Sequence, residues 1–200
     1  MITLIVGLLG LVVFFLATIV FGRRLRQQPS KIAAEETSRI MHFLFFAGLG
    51  LPFMISIFYP GINKLDFLVG FSPLPMRPLF ILFGLIIAIP GLYFLSISNR
   101  KLRALGSGAN AFRLTQRVVV QDVYRMTRNP MSFGYYLSAL SLSLITGSTL
   151  LTLYTLFGII PVHIFFLKYF EEYELELRLG DSYRTYKTQV PFLLPSIGRR

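Results

Sequence analysis

The chain has 200 residues, of which 54% are hydrophobic and 14% charged, with a mean hydropathy of +0.64. An ordinary soluble domain carries about a quarter charged residues, so this composition describes an integral membrane protein, read as one domain over 1–200. At about 20 residues per crossing the length allows five or six spans and excludes a large soluble catalytic domain, while the absence of cysteine excludes disulfides, thiolate chemistry and Cys-ligated zinc.

The first apolar stretch, 2–21, carries no charge and ends in Arg23, Arg24 and Arg26. It reads as a spanning helix, because a signal peptide has its charges before the apolar run and not after it. The second, 41–59, contains Pro52 and predicts a kinked span. The third, 79–97, contains Pro90 and Gly91 and runs out into Asn99, Arg100, Lys101 and Arg103. A polar, basic loop over 99–130 follows. Two further apolar runs, 131–146 and 149–168, are joined by Gly147 and Ser148 and predict a tight helical hairpin through the bilayer. The tail, 171–200, predicts an amphipathic helix from about Glu171 to Leu179, a break at Gly180, a second short helix and an irregular end from Pro191 to Pro195. The expected fold class is thus all-α, a polytopic transmembrane bundle of five spans capped by a loop and a tail.

Lys and Arg outnumber Asp and Glu by 20 to 9, a net charge of +11. Five of these cations fall between Gly22 and Ile40, seven between Arg100 and Pro130 and six from Lys168, the end of the last span, onward, leaving only Lys64 and Arg77 for the other side. Positive charge collects on the cytoplasmic face, so the expected orientation is N-terminus outside and C-terminus cytoplasmic. Orientation and attraction to anionic lipid account for the charge. Nucleic acid is not an expected partner, since no basic patch with interleaved aromatics stands on a soluble domain.

Three features carry possible chemistry. The segment Tyr124-Arg125-Met126-Thr127-Arg128-Asn129-Pro130 places a proline at the start of a helix, where free amides and Arg128 suit an anion; an interfacial anchor of snorkelling arginines is the other reading. Glu171 and Glu172 follow the fifth span directly, where a carboxylate is costly unless paired or used, while Glu174 and Glu176 read as the solvated start of a helix. His163 is ionisable at membrane depth, either as a functional group or as a neutral interhelical hydrogen-bond partner; His42 reads as interfacial. Two histidines without HExxH spacing predict no metal site. Gly106-Ser107-Gly108 is a weak Gly-x-Gly signal that a linker explains equally well.

In order and spacing, these motifs resemble the isoprenylcysteine carboxyl methyltransferase family and its prokaryotic relatives. The family's Leu-Val, Gly-x-Tyr and Arg-His/Asn-Pro-x-Tyr-x-Gly elements stand here as Val118-Val119, Asp122-Val123-Tyr124 and Arg128-Asn129-Pro130-Met131-Ser132-Phe133-Gly134. Its Glu-Glu, Phe-Gly, Tyr-x-x-Tyr and Val-Pro stand as Glu171-Glu172, Leu179-Gly180, Tyr183-Arg184-Thr185-Tyr186 and Val190-Pro191. The resemblance implies methyl transfer from S-adenosylmethionine to a lipid or lipidated acceptor within the bilayer. It implies cofactor contacts at Gln116, Arg117, Val118, Val119, Tyr124, Asn129, Pro130, Met131, Ser132, Glu171 and Glu172, with Glu171, Arg128 and Asn129 catalytic and Leu167, Lys168 and His163 on the acceptor side. The chain departs from the pattern where Asp122 replaces Gly, Ser132 replaces Tyr and Leu167 replaces a substrate-contacting Arg. Other readings are a phospholipid or amine N-methyltransferase, a non-catalytic membrane scaffold, and an NADPH-dependent sterol-reductase-like protein, which needs about twice as many spans.

A reporter fused after Arg200 should read out as cytoplasmic in intact cells. A periplasmic or lumenal signal would break the expected orientation.

Overall fold

A computed structural model describes residues 1–58, 61–106 and 114–196. Tyr59, Pro60, Ser107, Gly108 and Arg113 therefore lie outside the described residues, and with them the end of the expected second span and most of the Gly-x-Gly loop. The described residues form helices and irregular segments and no strand. Four helices are long and apolar enough to cross a membrane: α1 (Ile2–Gln27), α2 (Lys31–Phe58), α3 (Arg77–Gly106) and α6 (Thr149–Leu179). Between α3 and α6 lie a single turn, α4 (Val123–Met126), and α5 (Pro130–Thr146); α7 (Asp181–Gln189) follows α6.

Helices run well beyond the apolar stretches. The segment read as a loop between the first two spans is almost wholly helical, with only Gln28 to Ser30 between α1 and α2. Ser30 starts α2 by accepting a hydrogen bond from the Ala33 amide at 3.4 Å, and Ile32, Ala33 and Ala34 continue the helix outside the apolar run. In the same way α3 continues to Gly106, and α6 passes without interruption from its apolar half through Glu171 to Leu179. The expected amphipathic helix of the tail is thus the end of α6. Gly180 (φ +62) ends it as expected and turns the chain into α7.

In lipid there is little hydrophobic force between helices, so close approach through small residues decides packing. On α3, Gly84 and Gly91 face Ser141 and Ser138 of α5, and Gly134 of α5 lies against α3, where a Cβ would come within 2.7 Å of the Leu95 nitrogen and 2.9 Å of the Gly91 oxygen. Between α1 and α2 the contact is Gly10 on Gly48. Pro52 has no N–H for the carbonyl four residues back, and that carbonyl, Gly48 O, lies so near Gly10 that a Cβ there would be 2.1 Å away. The expected distortion at Pro52 takes the form of a π-turn, Phe46–Gly50, just before it.

α5 has 17 residues, about 25 Å of helix, and runs beside α3. Gly147, at φ +73, reverses the chain between α5 and α6. At this end Asp66 accepts hydrogen bonds from the Ser148 hydroxyl (3.1 Å) and the Thr149 and Leu150 amides (3.2 and 2.7 Å), a carboxylate on the positive end of α6. The core between α1, α2, α5 and α6 is aromatic: Phe14, Phe45 and Phe166 surround His163, whose Nδ1 is 2.7 Å from the Tyr136 hydroxyl. His163 is therefore an interhelical hydrogen-bond partner.

Gly134→Leu should destabilise the bundle by about 1–3 kcal/mol through overpacking of α5 on α3, seen as a lowered unfolding midpoint in detergent. Gly50→Ala, whose Cβ meets nothing closer than 3.8 Å, is the control. Equal midpoints for the two variants would contradict the close α3–α5 approach.

Candidate functional site

The ends of α1, α3 and α6 and the starts of α2 and α5 gather at one end of the bundle, and a cavity of about 190 Å³ opens among them. One wall is a stripe of α6: Glu171, Glu174, Leu175, Arg178 and Leu179, spaced i, i+3, i+4, i+7 and i+8 so that all share one helix face. Ser38 and His42, four residues apart on α2, form the adjoining wall. The loop residues Leu114, Thr115, Arg117, Val118 and Val119, with Tyr124 of α4 and Leu102 of α3, line the opposite side. Residues 128–132 enter from the start of α5, and Tyr183 and Tyr186, one turn apart on α7, cover the cavity.

The tail stays in place because it is sewn to the segment before α5. The Arg128 guanidinium donates from Nη1 to the carbonyls of Lys187 (2.6 Å) and Val190 (2.7 Å) and from Nη2 to Glu172 Oε1 (2.5 Å). The Arg128 amide donates to Pro191 O at 2.9 Å, Asn129 Nδ2 to Phe192 O at 2.9 Å, and the Thr127 hydroxyl to the same carbonyl at 3.1 Å. The Tyr186 hydroxyl donates to Tyr124 O at 2.7 Å. A second buried ion pair, Arg178 with Glu174, secures the loop, since Arg178 Nη1 also donates to Thr115 O at 2.6 Å.

These pairings separate four neighbouring glutamates by role. Glu172 faces Arg128, with Lys168 and Lys187 at 3.6 and 3.5 Å; Glu174 faces Arg178; Glu176 faces Lys187 at 2.7 Å. Glu171 has no cation within 4 Å among the described residues and lines the cavity half-buried. Glu174, expected to be a solvated residue of the helix start, is only 1% exposed. Two of the lining residues also carry polar atoms without a protein partner among the described residues: His42 Nδ1 and Arg128 Nε are buried without a hydrogen bond. Such atoms are uncommon in folded proteins unless a ligand or water completes them. Met131 and Ser132 line the cavity from the first turn of α5, which no side chain caps. Burial pushes the Tyr124, Tyr183 and Tyr186 phenols well above their ordinary value, so each stays neutral and offers a ring and a hydroxyl.

Of the residues expected at the cofactor, Arg117, Val118, Val119, Tyr124, Asn129, Pro130, Met131, Ser132 and Glu171 come together around the cavity. Gln116 and Glu172 do not line it. Gln116 anchors the loop, its amide donating to Gly106 O at 2.9 Å and its side chain to Leu114 O at 3.1 Å, and Glu172 is the partner of Arg128. Arg128 and Asn129 border the cavity, yet their side chains donate to the tail and to Glu172. The expected acceptor-side residues lie elsewhere. Leu167 is in the core at 1% exposure, His163 is enclosed by aromatic rings, and Lys168 turns outward over the Phe192 ring at 3.9 Å. Asp122, where the resemblance expects a glycine, has φ +49, a conformation costly for any side chain. Lys101, 2.5 Å away, holds it there and keeps its carboxyl below the usual range.

Ser38, His42, Glu174 and Arg178 are wall residues that the linear motifs did not indicate. The i, i+4 spacing of Ser38 with His42 and of Glu174 with Arg178 is the one signal that marks them. A family model described as phospholipid methyltransferase matches residues 79–181, from α3 to the first residue of α7. No curated protein and no solved structure matches the chain. The α2 wall, with Ser38 and His42, falls outside the matched region.

Replacing Glu172 by Gln leaves Arg128 buried without its counter-charge, and breaking such a pair costs about 3–5 kcal/mol. The expected result is a lower unfolding midpoint with faster proteolysis beyond Asp181. A tail equally protected in Glu172→Gln and the unaltered protein would count against this role.

Proposed function

Because the chain belongs to the phospholipid methyltransferase family, whose model covers just over half of its residues, we propose that it transfers a methyl group from S-adenosylmethionine to a lipid acceptor dissolved in the bilayer. The observation that carries the reading is Glu171, the glutamate of its group with no ion-pair partner among the described residues, at the wall of a cavity lined by aromatic, apolar and polar side chains.

The residues fit such a cofactor. Glu171 offers a carboxyl group with no ion-pair partner among the described residues, and Tyr124 a ring face, to a sulfonium. The uncapped first turn of α5, at Met131 and Ser132, offers amides to a carboxylate. Leu114, Val118 and Val119 give an apolar surface for a ring system. When bound, S-adenosylmethionine supplies an electrophilic methyl group on a positively charged sulfur. The protein's part is then alignment and exclusion of water, served by Tyr183 and Tyr186 over the cavity and by the sutures that hold them.

A phospholipid headgroup is favoured over a prenylated carboxylate as acceptor. The matching family model is that of phospholipid methyltransferases, and the position at which the prenylcysteine-type resemblance expects a substrate-contacting arginine is Leu167 in the core. In this reading α5 crosses beside α3 as a fifth span, the basic end of the bundle faces the cytoplasm, and cofactor enters from there.

Protein in detergent should bind S-adenosylmethionine and its demethylated product with measurable heat, and Glu171→Gln should weaken binding about tenfold, the effect of losing roughly 1.4 kcal/mol. Labelled methyl should pass from the cofactor into a total lipid extract and be recovered in phospholipid. Neither heat nor thermal shift with either ligand would sink the proposal; label recovered only in prenylated carboxylates would reassign the acceptor.

A further inference from the structure

Glu171 does not stand on regular α-helix. It closes a π-turn, Leu167–Glu171, in which the Glu172 amide bonds back five residues to Leu167 O. A π-turn admits one extra residue at the expense of a regular i→i−4 bond, and it rotates everything beyond it relative to the helix before. Such a turn needs support, and the support comes from α1. Arg26 donates from Nη2 to Tyr169 O inside the turn at 2.6 Å and from Nη1 to Gly22 O on its own helix at 2.8 Å. Its guanidinium carbon also lies 4.3 Å from the centre of the Tyr169 ring and 4.9 Å from that of Tyr173. Gly22 is the seat for this contact, since a Cβ there would come within 2.6 Å of the Tyr169 ring.

We propose that Arg26 is a positioning residue for Glu171: its planar fork joins the end of α1 to the π-turn of α6 and so fixes the angle at which the Glu171 carboxylate meets the cavity. A lysine has a single ammonium and cannot bridge the two carbonyls while lying flat over two rings. The role belongs to α1, outside the region that the family model matches. The inference rests on Glu171 being a cofactor contact, as proposed above.

The test is a double-mutant cycle read by calorimetry with S-adenosylhomocysteine, together with hydrogen exchange at the Glu171 and Glu172 amides in the ligand-free protein. Arg26→Ala should weaken binding about tenfold and Arg26→Lys by an intermediate factor, both with faster exchange at the two amides. In a Glu171→Gln background, Arg26→Ala should add less than a twofold loss, because the group it positions is gone. An equal loss in both backgrounds, or unchanged exchange, would overturn the inference. If the unaltered protein binds no S-adenosylhomocysteine, the proposed function falls, and exchange at the two amides alone decides whether Arg26 holds the turn.

Discussion

The guanidinium of Arg128 is the tie on which the polar end of this bundle depends. The tail beyond Gly180 buries Tyr183, Tyr186 and Val190 in a small cluster of their own and packs Phe192 and Leu193, partly buried, against the main core. One planar fork adds to that packing by meeting two tail carbonyls and a carboxylate of α6 together. Its geometry explains why an arginine and not a lysine stands before Asn129 and Pro130. It also explains why the pair Glu171-Glu172 divides its labour, since the second glutamate neutralises the fork and leaves the first for the cavity.

A helical bundle must make a polar site from what its helices have. Here the helices continue past their apolar segments, and three of these extensions meet: α2 from Lys31, α3 to Gly106 and α6 to Leu179. Two walls of the cavity are therefore continuous with rods packed through glycine and serine inside the bundle. Only the third wall is loop, and it is pinned by Arg178 and by Gln116.

Much of this was legible in the sequence. Uninterrupted apolar runs marked α1, α3 and the first half of α6, because backbone in lipid has no stable alternative to helix. Gly180 and Gly147 marked the turns, and the order of Arg128, Asn129, Pro130 and Glu171 marked the cavity. What escaped was relational. Arg128 and Glu172 are 44 residues apart, and nothing local distinguishes Glu171, Glu172 and Glu174 until each is seen with or without its partner. The helical start of α2 carries no apolar run, so its sequence between Lys31 and Ile40 reads as a connection; its helicity is fixed by the Ser30 cap and by packing against the far half of α6. Leu167 and Lys168 showed the limit of a motif's spacing, since a π-turn begins at Leu167 itself and spacing alone cannot say which way a side chain points there.

Asp66 sits at the opposite end of the molecule from all of this chemistry, yet it bonds the first amides of α6, the helix that carries Glu171, Glu174 and Arg178 at its other end. α6 is 31 residues long, about 46 Å, and is fastened at both extremities: by a carboxylate on one face of the bundle and by arginines on the other. A rod so clamped cannot slide along its axis without breaking hydrogen bonds at one end or the other. The depth at which Glu171 meets the cavity is therefore referred to both ends of the longest described helix, and Asp66, far from the cavity, serves as its datum.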